Sequence, residues 1–150
     1  MRPATMVEPI EILLVEDSPG DADLAREALE STKVHNNLHV VKDGEEAMDF
    51  LYRRGPYQEA LRPGLVLLDL NLPKKDGREV LAEIKSDAEL KRIPVVILTT
   101  SKDEEDVLKT YNLHANCFIT KPIDLSQFLK VVKSIEEFWL TIVRLPNGSK

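Results

Sequence analysis

Five short apolar runs punctuate the chain, at residues 12–15, 38–41, 65–68, 94–98 and 115–119. Each has strand length, and the runs are continuous rather than alternating, which predicts strands buried on both faces, as in a parallel sheet. Apolar positions at helical spacing fill 22–31, 45–53, 78–86 and 104–111 between them, and 125 to about 145 after the last. The order reads (βα)5. Right-handed crossovers leave few topologies for it, and a doubly wound five-stranded parallel sheet is the natural one. Asp21, Asp43 and Asp103 each stand where a cap or first-turn carboxylate would meet the free N–H groups of a helix start. The least regular stretch is 52–64, where Gly55-Pro56 and Pro63-Gly64 mark a long connection, either a surface excursion or an extra helical turn.

Composition narrows the class. The 150 residues suit one domain, expected over 10–145 between loose tails at 1–9 and 146–150, and the formal charge of −6 disfavours binding to a phosphate backbone or anionic lipid. One cysteine, Cys117, can form no internal disulfide, which suits a reducing compartment. Glu8, Pro9 and Glu11 interrupt the N-terminus, and no window approaches the roughly 18 apolar residues of a membrane span, so a cytoplasmic protein is expected. His35 and His39 have the spacing of a helical metal pair, but Asn36-Asn37 between them reads as loop into strand, and a structural or exposed role is expected for both.

Ligands of an open parallel sheet bind beyond the carboxyl ends of its strands, near the point where strand order reverses. There the sequence places Glu16-Asp17 after the first strand, Asp69-Leu70-Asn71 after the third, Thr99-Thr100-Ser101 after the fourth and Thr120-Lys121-Pro122 after the fifth. Three carboxylates on one rim repel one another unless a divalent cation joins them, and hard oxygen donors favour Mg²⁺, which keeps waters and leaves room for phosphoryl oxygens. Phosphoryl transfer suits such a rim. Asp69 is the candidate nucleophile, Lys121 a point charge for the phosphoryl oxygens, and Thr99 a hydroxyl donor to one of them.

These residues together resemble the two-component response-regulator receiver domain over residues 10 to about 135. The full-length pattern, including Leu51-Tyr52-Arg53-Arg54-Gly55 and Phe138-Trp139-Leu140-Thr141, is most similar to the single-domain regulators paired with cyanobacterial phytochromes. The resemblance implies a flavodoxin-like fold with strand order 2-1-3-4-5 and an aspartyl-phosphate switch on Asp69, charged by a sensor histidine kinase, here a phytochrome. It also implies metal binding by Asp17, Glu16, Asp69 and the main-chain carbonyl of Asn71, a switch pair of Thr99 and Phe118, and a cis peptide at Pro122. Phe118 lacks a phenolic hydroxyl, so its coupling would act by filling the space that Thr99 vacates. The protein would be no turnover enzyme but a Mg²⁺-dependent phosphoacceptor that catalyses its own phosphorylation and dephosphorylation, with output by partner contact.

The last predicted helix carries a core arc and, beside it, a second apolar stripe of Val131, Phe138, Ile142 and Leu145, which predicts a symmetric dimer. Two other readings stand against the switch. A receiver-fold scaffold indifferent to phosphorylation would be expected to have lost an acid or the lysine, and neither is lost. A small aspartate-nucleophile phosphatase would need a second Asp as general acid two residues after Asp69, where Asn71 stands.

Overall fold

The computed structural model describes residues 9–30, 35–99 and 117–120, together with Ser126 and Lys130. Its elements are β1 (Ile10–Val15), α1 (Pro19–Glu30), β2 (Asn36–Val41), α2 (Gly44–Leu51), β3 (Leu65–Asp69), α3 (Gly77–Ser86), β4 (Val95–Thr99) and β5 (Cys117–Thr120), with single 3-10 turns at Gly55–Tyr57 and Leu90–Arg92. The five strands form one parallel sheet in the order β2-β1-β3-β4-β5. The expected topology is therefore present, and strand order reverses between β1 and β3.

Side-chain alternation sorts the apolar strand residues into two cores. Leu13, Val15, Val66 and Leu68 pack on one face with α2 and α3, while Ile12, Leu14, Leu65 and Leu67 pack on the other with Ala22, Ala25 and Leu29 of α1. Burial on both faces explains why the runs are continuous in sequence. Ser126 and Lys130 are helical and exposed, as polar positions of the predicted last helix. The rest of that helix, the 104–111 helix with Asp103, and the stripe of Val131, Phe138, Ile142 and Leu145 lie outside the described residues.

Element ends differ from expectation for local reasons. α2 stops at Leu51, not at 53, because Arg53 N–H turns back to the Phe50 carbonyl (3.2 Å) and Arg54 N–H to that of Asp49 (2.8 Å). That pair of bonds is the Schellman closure, and it forces Arg53 to φ +59° where glycine is usual. α1 begins at Pro19, one turn early, leaving Asp21 in the first turn with its N–H on Ser18 Oγ (3.3 Å). Asp43 caps α2 as expected, accepting from Glu46 N–H at 2.8 Å. The 52–64 connection combines both expected forms, with a 3-10 turn at Gly55–Tyr57 and a surface path that seats Tyr57 and Ala60 on the core. His39 lies in β2 and shares a hydrogen bond of 2.7 Å with Glu11 Oε1, a structural role and not a helical metal pair.

Candidate functional site

β1 and β3 are neighbours, and Val15 pairs in register with Leu68. The residue following each partner therefore emerges at the same edge. Glu16 continues the ladder by donating its N–H to the Val41 carbonyl (3.0 Å), and Asp69 is the last residue of β3. Both carboxylates are almost wholly buried, at 2% and 3% exposure, whereas Asp17 is exposed. Carboxylate oxygens of Glu16, Asp17 and Asp69 all lie within 4.8 Å of one another. Ionised carboxylates held this close repel one another, most strongly between the buried Glu16 and Asp69 and less at the solvent-screened Asp17. A cluster of this kind suits a cation, and its all-oxygen donor set selects a hard divalent ion.

Backbone donors fix two of the acids. Glu16 Oε2 accepts from Ser18 N–H at 3.1 Å, and Asp69 Oδ1 accepts from Asn71 N–H at 3.1 Å, each a bond to the residue two positions on. Asn71 thus lies against Asp69, at the start of the β3–α3 loop. Thr99 ends β4, one residue beyond Leu98, the register partner of Asp69, and pairs with Thr120 at the same end of the sheet. Phe118 lies in β5, paired with Ile97. Lys121, Pro122, Thr100 and Ser101 lie outside the described residues.

Two glycines at this edge went unread in the sequence. Gly77 opens α3 directly behind Asp69, and a Cβ there would fall 2.3 Å from the Asp69 carbonyl oxygen. Gly44 opens α2, and a Cβ there would fall 2.0 Å from the Lys75 carbonyl oxygen. The available signal was the Asp-Gly pair at 43–44 and again at 76–77, each just before a helical run. Asp76, also unread, caps α3 with a full capping box closed by Glu79.

The sequence model of the response regulator receiver domain matches residues 12–133. The response regulator Rcp1 of Synechocystis sp. is 55% identical over 135 residues, 90% of this chain and 92% of its own length. Among solved structures, the phosphorylated cyanobacterial phytochrome response regulator RcpA is 57% identical with a TM-score of 0.74, covering 89% of this chain and 96% of that one. The Mn²⁺-bound form of Rcp1 is 54% identical with a TM-score of 0.73 over the same shares.

Proposed function

This chain belongs to the response regulator receiver domain family, whose standard role is to be phosphorylated by a histidine kinase, and from that premise we propose that Asp69 is its phosphoacceptor and Mg²⁺ its metal. The observation that carries the proposal is the convergence of Glu16, Asp17 and Asp69 within 4.8 Å at the switch point of strand order. An Asp69 oxygen attacks the phosphorus of a phosphohistidine, a P–O bond forms as the P–N bond breaks, and the electron pair leaves with the imidazole, which takes up a proton. Asp17, Glu16, Asp69 and the Asn71 carbonyl would hold the cation, which when bound neutralises phosphoryl charge. Lys121 and Thr99 then serve as donors to the phosphoryl oxygens. Asn71 cannot act as a general acid, which supports a stoichiometric phosphoacceptor over a phosphatase.

The phosphorylated Asp69 draws Thr99 inward, and Phe118 follows into the vacated space. Similarity to RcpA and Rcp1 supports a phytochrome histidine kinase as partner and a cytoplasmic setting; among the described residues no helix is long and apolar enough to cross a membrane. The stripe of Val131, Phe138, Ile142 and Leu145 supports a homodimer, and Phe138→Glu is expected to give monomers by sedimentation.

Intact-mass spectrometry after exposure to acetyl phosphate tests the acceptor directly. Wild type should gain one acid-labile phosphoryl group only with Mg²⁺, and Asp69→Asn none. Undiminished labelling of the variant sinks the assignment.

A further inference from the structure

The β3–α3 loop, residues 70–76, is gripped at both ends by backbone contact. At Gly77 an added Cβ would meet the Asp69 carbonyl oxygen at 2.3 Å, Leu70 Cα at 2.6 Å and the Leu70 carbonyl oxygen at 2.8 Å, and Gly77 N–H donates to that same Leu70 carbonyl at 3.0 Å. At Gly44 it would meet the Lys75 carbonyl oxygen at 2.0 Å and Lys75 Cβ at 2.7 Å. Separations below 3.0 Å are essentially never seen for a real Cβ, and backbone atoms cannot rotate aside as a side chain can. Neither glycine has a left-handed φ, so close approach, not backbone freedom, requires them. At Gly20 and Gly55, by contrast, an added Cβ would meet nothing within 4 Å.

Further contacts brace the same loop. Lys74 Nζ lies 3.6 Å from Oδ2 of Asp43, the α2 cap, and Lys74 is held at φ +65°, a conformation a non-glycine residue adopts when its surroundings impose it. Asn71 N–H is bound to Asp69 Oδ1. A loop fixed in this way has its conformational entropy removed during folding, so ligand binding need not supply the ordering.

We infer that Gly44 and Gly77 are positioning residues, holding the 70–76 loop in its binding shape before any cation arrives. The inference rests on the reading of Glu16, Asp17 and Asp69 as the metal and phosphoryl site. Isothermal titration of the full chain with Mg²⁺ tests it. Gly44→Ala and Gly77→Ala should each weaken Mg²⁺ binding at least tenfold, while Gly20→Ala stays within twofold. Ile84→Val, in the core of α3, should lower stability with Mg²⁺ affinity unchanged, which separates positioning from general destabilisation. A second arm needs only wild type: amide exchange without metal should find the Gly77 and Asn71 amides already protected at least tenfold over an unstructured chain. Folded glycine variants that bind Mg²⁺ as wild type does, or unprotected amides in the metal-free protein, overturn the inference alone. Failure of wild type to bind Mg²⁺ overturns the site reading and the inference with it.

Discussion

Tyr57 packs its ring on Phe50, with centroids 5.2 Å apart, and donates its hydroxyl to Glu46, which also accepts from Lys42 N–H. Burial first, and the bond to Glu46 second, push the phenol up to about 12 from its ordinary 10.0. A group whose folded pKa is raised contributes stability that is full below its unfolded pKa and is lost as pH rises through the folded one. The wild-type urea midpoint should therefore fall between pH 10 and pH 12 more steeply than that of Tyr57→Phe; Tyr52, raised mainly by burial, leaves a smaller slope in both. Parallel curves would show that the Tyr57 hydroxyl gains nothing from Glu46. At this scale legibility depended on whether a residue's role follows from its own chemistry. Asp69, Glu16 and Asp17 could be read because they fall together at the carboxyl ends of neighbouring strands, where a lone cap such as Asp43 has no acidic companions on the rim. Gly44 and Gly77 could not, since the crowding at each belongs to a segment some thirty or seven residues away in sequence.

Among the elements, α3 shows how a helix start ties to the site. Asp76 accepts from Arg78 N–H at 3.0 Å and Glu79 Oε1 accepts from Asp76 N–H at 3.1 Å, so the reciprocal box fixes the helix that begins one residue later at Gly77. Asp76→Ala should cost about 1 kcal/mol, the usual loss for a cap, measured by urea unfolding. A loss near zero would mean that Gly77 N–H on the Leu70 carbonyl anchors the start alone. Strand existence and order were legible because runs buried on both faces leave a dense apolar signal, whereas strand edges slipped by one or two residues, at β1 and β2 because backbone pairing outran hydrophobicity. Asn36 and Asn37 belong to β2 because they pair with Ile10 and Glu11, and Asn37 also donates its side chain to Glu11 Oε2 at 2.8 Å. No apolar pattern announces that. Likewise α2 ends early because Arg53, and not a glycine, takes the left-handed position that closes the helix.

Across the whole molecule, the acid cluster couples metal binding to stability. With no cation, three carboxylates within 4.8 Å oppose the folded state, which alone gathers them. Asp17 is the exposed member, so removing its charge costs no packing and leaves Glu16 and Asp69 in place. Metal-free Asp17→Asn should therefore be more stable than wild type, by up to about 1 kcal/mol given solvent screening. Mg²⁺ reverses the order. A ligand that binds only the native state, at 100 times its dissociation constant, stabilises by about 2.7 kcal/mol, and wild type should gain that increment while Asp17→Asn, short of a ligand, gains little. Urea unfolding of both proteins with and without Mg²⁺ at constant ionic strength measures the crossing, because constant ionic strength removes general screening from the comparison. Equal gains in the two proteins would place the cation away from Asp17, and equal stabilities without it would show that the three charges are already compensated in the resting fold.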